Sequence, residues 1–250
     1  MPFAAALVVV AGLAAFGPPS LLRPHALALQ AAEARASRGD WDEARAVLDA
    51  EAANALPEAA ELLLLHTRML ARLKLLDAST PGLGRRYITY VFAPDNAKLP
   101  DAVADLKRLA GADDALQTLV DTPATLAVDH DRRAVALLVR GALLDRARKA
   151  GLPLHANGGD AVVHVTIEHE DLERRDTILQ GTGMHSYTTY VVVEHQRPGF
   201  APIDNGVVVQ LLGINAARAI DTNLDRVVDR VLTGLVVEWI RRALLGDLGA

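Results

Sequence analysis

Four histidines carry most of the chemistry this chain could hold, because they fall in or beside segments that alternate like strands: His164, His169, His185 and His195. A metal ion needs its ligands to converge at bonding distance. His164 and His169 are an odd number of residues apart and point to opposite faces of one strand, while His185 and His195 are separated by roughly 33 Å of extended chain. One pairing survives. His169 and His185 flank the connection Glu170 to Met184, and a hairpin between their strands would let them meet, with Glu170 or Asp171 as a third ligand. Against that stands the reading of both as solvated histidines at strand ends.

Other constellations fail on spacing. Ser186 follows His185 directly, so the two side chains leave a strand in opposite directions, and no G-x-S-x-G elbow surrounds the serine. Gly181-Thr182-Gly183 lacks the lysine and the strand–turn–helix setting of a phosphate loop and reads as a flexible turn. The chain has no cysteine, which removes disulfides, thiolate nucleophiles, cysteine-ligated zinc and iron–sulfur clusters together. It also removes the lipidated cysteine of a bacterial lipoprotein. No catalytic, cofactor-binding or metal-binding residue is assigned, and the chain is read as a non-enzyme.

The elements that position these residues are clearest from residue 124 onward. Ala124 to Val128 is a short apolar strand, and Asp131 to Ala150 is a helix with Val135, Leu138, Ala142 and Ala147 near one face, closed by Gly151. Three strands follow, Ala161 to His169, Tyr187 to His195 and Val207 to Ile214. In the first, Val163, Val165 and Ile167 alternate with His164, Thr166 and Glu168, the period of an antiparallel strand with one wet face. Asp204-Asn205-Gly206 predicts a tight reversal before the third. Asp221 to Leu245 is a last helix with a stripe of Leu224, Val228, Val231, Leu235 and Trp239 that must cover the sheet. The expected fold class is α+β: an antiparallel sheet covered by two long helices, preceded by an N-terminal α-helical hairpin region.

Upstream, residues 26–37 and 41–53 form two helices joined by Arg38-Gly39-Asp40, and Pro57 to Leu75 forms a third, with proline in its first turn. Ser79-Thr80-Pro81-Gly82-Leu83-Gly84 is the clearest linker. After it, Arg86 to Ala93 alternates as a strand, Leu99 to Ala110 opens on Pro100-Asp101 as a helix, and a short helix lies near Asp113 to Val120. Three parts follow: residues 1–24 as a signal peptide or membrane anchor, 25–78 as a helical region, and 85–250 as the α+β module.

Phe3 to Phe16 is an unbroken apolar run of roughly 14 residues, closer to a signal-peptide core than to a membrane span of about 20. Export, or anchoring through residues 3–16, is the leading expectation, with a buried helix as the alternative, since no Lys or Arg precedes Arg23. The net charge of -5, from 26 basic and 31 acidic residues, gives no reason to expect nucleic acid.

Two family resemblances attach to these residues. Gly39 to Leu48, GDWDEARAVL, resembles the turn and second helix of a tetratricopeptide repeat, with Ala44 at the small packing position and Leu48 one turn on. About one and a half repeats fit, too few for a free-standing array. The strand ATLAV (Ala124 to Val128), the entry Asp160 to Val163, and the closing DRVVDRVLTGL (Asp225 to Leu235) with its Leu232-Thr233-Gly234 together resemble the amino-terminal domain of the TolB translocation protein. That family shares a broader fold with curli-secretion lipoproteins and outer-membrane activators of peptidoglycan synthases. The resemblance covers under half the chain, no propeller follows the module, and it implies an envelope assembly or adaptor role with no catalytic residues to carry over.

The expected function is thus a non-enzymatic, periplasmic or membrane-anchored protein that binds protein partners in the cell envelope. A metal-dependent or otherwise unrecognised hydrolytic enzyme, and a structural subunit of an oligomer, are the alternatives. An apolar patch at Phe200 and Ile203, in the loop Gln196 to Asn205, is one candidate contact, with burial in the core as the competing outcome.

Overall fold

The computed structural model describes residues 20–76, 99–111, 113–172, 185–198, 202–213 and 215–246, without the side chains of 20, 73–76, 115, 169–172, 185–190, 203–213 and 216. The apolar run Phe3 to Phe16, the linker Ser79 to Gly84, the strand expected at Arg86 to Ala93, the Gly181-Thr182-Gly183 turn and Phe200 lie outside the described residues.

A single 3-10 turn, Ser20–His25, leads into α1 (Ala26–Ala36), α2 (Trp41–Ala52) and α3 (Pro57–Leu76). Gly39 sits at φ 84° between α1 and α2, a conformation that costs other residues about 1 kcal/mol or more. Ala32, Ala36, Ala44 and Leu48 are buried where the two helices meet, so small side chains let the backbones approach. The helices α4 (Leu99–Ala110) and α5 (Asp114–Asp121) come next; Asp113 caps α5 by accepting the backbone N–H of Leu116 at 2.8 Å.

The module is α+β. Strand β1 (Ala124–Asp129) leads into α6 (Arg133–Ala150), which ends on Gly151 at φ 72°, a left-handed C-terminal residue. The two-residue β2 (Leu154–His155) follows, then β3 (Ala161–Leu172), β4 (His185–Gln196) and β5 (Ile203–Gly213). The sheet order is β2-β1-β3-β4-β5. The expected run β3–β4–β5 pairs antiparallel, while β1 pairs parallel with both β2 and β3 because α6 carries the chain back over the sheet.

Several local expectations change. Asp204-Asn205-Gly206 is not a reversal but lies within β5, where Asp204 faces Glu194 and Gly206 faces Val192 across the ladder. The turn falls earlier, before Ile203, because the long partner strand β4 offers pairing that outweighs local turn preference. On α6 the buried face is Val135, Val139, Leu143 and Ala147; Leu138 is 38% exposed. The expected stripe was one position out of phase at its centre. The last helix is broken in two: α7 (Ala216–Thr222) stops at Asn223, whose amide donates back to the Ala219 carbonyl at 2.8 Å, and α8 (Leu224–Leu245) begins afresh.

Helix α8 is buried almost all round, from Val227 to Ile240 except Asp229, and not merely along one stripe. The reason is that it is the middle layer. One side meets β4 and β5, and the others meet α3, α4 and α6. A single apolar cluster therefore runs from Leu22 and Leu63 through Leu106 and Leu119 to Val163, Val193 and Trp239. Burial of each such Leu or Val side chain contributes about 1.5–3 kcal/mol.

Candidate functional site

Strand alternation divides the sheet's polar and apolar residues between two faces. Ala161, Val163, Val165 and Ile167 of β3 and Val191, Val193 and His195 of β4 turn inward under the helices and are buried. Val162, His164, Thr166 and Glu168, with Val192, Glu194 and Gln196 beside them, occupy the opposite face and are exposed or half-buried. Val162 and Val192 are 41% and 40% exposed, so among the described residues no element covers this face.

Near the centre of that open face three ionisable groups from three strands meet. His164 lies opposite Glu194 on β4 and Ala127 on β1, and its ring reaches diagonally to Asp129, which sits one row further on, opposite Thr166. Its Nε2 is 2.8 Å from Asp129 Oδ2, and its Nδ1 is 3.4 Å from Glu194 Oε2. The imidazole therefore links two carboxylates in a line, with each ring nitrogen facing a different partner. That arrangement ties neighbouring strands together and leaves no common point at which three ligands could hold a cation. Among the described residues no group of three metal-ligating side chains assembles.

The other sequence candidates separate. His169 pairs with Thr189 in the β3–β4 ladder, whereas His185 begins β4 and lies opposite Gly213 of β5. The hairpin forms, yet its register leaves the two histidines four residue positions apart, about 13 Å along the strand, and does not place them opposite one another. Ser186 is opposite Leu172 in the same ladder, and Glu170 and Asp171 lie opposite Thr188 and Tyr187. Ile203 starts β5 opposite His195.

His195 is inside the molecule. It is 4% exposed, with its ring centroid 5.5 Å from that of the fully buried Trp239. Burial, helped by the positive charge of Arg197, lowers its pKa from 6.5 to about 4. It is a neutral core side chain at physiological pH.

A second polar cluster, which the sequence did not disclose, joins α1, α3 and α8. Arg241 of α8 donates to Glu33 of α1 through Nε (2.9 Å) and Nη2 (2.7 Å), and to both oxygens of Glu238 through Nη1 (2.7 and 2.9 Å). Arg242 donates to Glu238 at 2.9 Å, and the fully buried His66 of α3 is 2.6 Å from Glu33 Oε1 through Nε2. Burial would raise the Glu33 pKa; the hydrogen bond from His66 and the charge and hydrogen bonds of Arg241 outweigh it and hold the carboxyl at about 2. Burial likewise disfavours the Arg241 cation, and Glu238 with Glu33 reverses that and raises its pKa. The cluster joins three helices from opposite ends of the chain, and every charge in it faces an opposite one. The only hint in the sequence was Arg241-Arg242 on a helix otherwise apolar at its end, which reads as solvated until the fold is known.

A groove of 610 Å³ opens between the end of α6 and β2, lined by Val120, Leu144, Leu152 and Leu154, with Asp145 and Arg148 at its side. Asp145 accepts from Arg148 at 2.7 Å and faces Lys149 at 2.6 Å, and these cations hold its pKa below the usual value.

No protein-family model matches the chain, and no curated protein matches it. Among solved structures, a minor lipoprotein from Acinetobacter baumannii is similar over 52% of this chain and 99% of its own length, at 14% identity and a TM-score of 0.31. The rare lipoprotein B from Shewanella oneidensis is similar over 49% of this chain and 90% of its own, at 17% identity and a TM-score of 0.22. With both TM-scores below 0.5, neither likeness bears on what this protein does.

Proposed function

We propose that the protein is a non-enzymatic binding or assembly component of the cell envelope that docks a protein partner on the open face of its sheet. The observation that carries this reading is the face left open among the described residues: a sheet packed on one side by α6 and α8, with Val162 and Val192 exposed on the other. Val162 and Val192 are 41% and 40% exposed, and a partner seated on this face would bury them. The polar groups argue the same way. Glu33, His66, Glu238 and Arg241 are engaged with one another in the core, and His164, Asp129 and Glu194 on the open face link strands without converging on one point. The apolar run Phe3 to Phe16 supports export, as a cleaved leader or an anchor.

The test is chemical crosslinking of the tagged full chain in intact cells, followed by fractionation, with Val162→Asp/Val192→Asp as comparison. Both side chains are exposed, so the double variant should fold. A defined adduct in the envelope fraction that disappears in the variant is the expected result. No adduct, or one indifferent to the variant, would overturn the proposal.

A further inference from the structure

The charges of this protein are distributed unevenly. None of the five described strands contains a lysine or arginine, although the chain has 26 of them; these strands carry Asp129, Glu168, Glu170, Asp171, Glu194 and Asp204 instead. On the open face the described acids form a pattern with the apolar groups. Glu194 lies opposite His164 in the central row, and Asp129, which His164 also contacts, lies in the next row beside Thr166 and Val192. Val162, opposite Gln196, is in the row on one side; Val192, opposite Thr166, is in the row on the other; Glu168 lies beyond it. The side-chain exposures are 69% for Asp129 and 42% for Glu194. Among the described residues, their cationic neighbour on this face is the histidine between them.

A face whose described charged groups are carboxylates beside one histidine repels phosphate-bearing surfaces and favours a cation-rich one. Point cations would be satisfied by the carboxylates alone, whereas the two valines add apolar area on either side of the His164–Glu194 row, which a purely ionic ligand would leave in water. The complementary surface presents aliphatic groups flanked by ammonium or guanidinium groups. Resting on the docking reading above, we infer that the open face of β1, β3 and β4 takes a lysine- and arginine-rich amphipathic segment of a second protein. Docked there, the segment would place its apolar side on Val162 and Val192 and its cations on Asp129, Glu168 and Glu194. The sheet would then be covered on both sides.

The experiment has two arms. In the first, the full chain is titrated with a synthetic amphipathic lysine–leucine peptide and, separately, with a glutamate–leucine peptide of equal length, followed by amide resonances. The cationic peptide should shift residues 162–168 and 192–196 and bind more weakly as salt rises, and the anionic one should not bind there. Glu168→Lys/Glu194→Lys should weaken the cationic peptide by about tenfold, from two partly exposed ion pairs. Glu168→Gln/Glu194→Gln should weaken it by less, and serves if the reversed variant fails to fold. Equal binding of both peptides, or indifference to both variants, overturns the inference. In the second arm the crosslinking above is repeated with the same variants. An adduct that needs Val162 and Val192 but not the two glutamates leaves the docking reading standing and removes the basic partner; loss of the adduct with either pair supports both; no adduct in any form removes the docking reading first.

Discussion

Replacing Arg241 by leucine should loosen the attachment of the first three helices to the rest of the protein. The guanidinium makes two hydrogen bonds to Glu33 and two to Glu238, all between 2.7 and 2.9 Å, and the three side chains are 24%, 15% and 5% exposed. Removing one member of such a buried set leaves the others uncompensated, at a cost of about 3–5 kcal/mol. Arg242 still reaches Glu238 and His66 still reaches Glu33, so the lower end, about 3 kcal/mol, is expected. Proton linkage measures Glu33's whole set of contacts, the His66 hydrogen bond first and the Arg241 charge second. Glu33 has a pKa of about 2 in the folded protein against 4.5 ordinarily, a difference worth about 3 kcal/mol. Because the folded value is the lower one, that stability is present above pH 4.5 and is lost as pH falls towards 2. Urea unfolding of Arg241→Leu, Glu33→Gln and the double variant at pH 7 reads the coupling directly. A coupling near 2 kcal/mol or more, with a flatter acid limb between pH 4.5 and 2 in both single variants, is expected. Additive effects below about 0.5 kcal/mol would refute the network as a structural joint.

Three further outcomes follow from single positions. His195 has a folded pKa of about 4 against 6.5, so the unfolded chain binds the extra proton first; stability should fall by up to about 3 kcal/mol as pH drops from 6.5 to 4, and His195→Leu should remove that slope from a pH series of thermal unfolding. A Cβ at Gly159 would sit 2.4 Å from the Pro123 carbonyl oxygen and 2.8 Å from the Thr125 nitrogen, both backbone, so Gly159→Ala should cost about 1–3 kcal/mol or more in denaturant unfolding. Trp239 is fully buried and its indole N–H has no acceptor among the described residues. Trp239→Phe therefore forfeits no hydrogen bond and should cost far less than the about 3–5 kcal/mol of Trp239→Ala in the same assay.

What the sequence disclosed and what it hid divide along physical lines. The alternation of β3 named its inner and outer residues correctly, because a strand buried on one face must repeat every two residues, and Val163, Val165 and Ile167 are all buried. The glycine closing α6 was equally legible, since the left-handed φ of 72° at Gly151 is what a helix stop uses. Asp204-Asn205-Gly206 misled because its turn preference is local, while eleven ladder positions shared with β4 are not. The parallel entry of β1 was not legible, since a six-residue apolar strand reads the same in either direction. Least visible was the joint between Glu33 and Arg241, which are 208 residues apart in sequence. No period connects them, and only the layering of α8 beneath α1 and α3 brings them together. The open-face row was half legible: alternation placed His164 outward, but its partners Asp129 and Glu194 come from register, which pattern alone does not fix.

On the reading proposed above, the open side of the sheet is the side that meets a partner. A photocrosslinking residue placed at Thr166, on that face, and in a second variant at Leu138, on the outer surface of α6, tests it in intact cells expressing the full chain. A single defined adduct from position 166 and none from position 138 is the predicted result. The reverse pattern, or equal adducts from both positions, would contradict it.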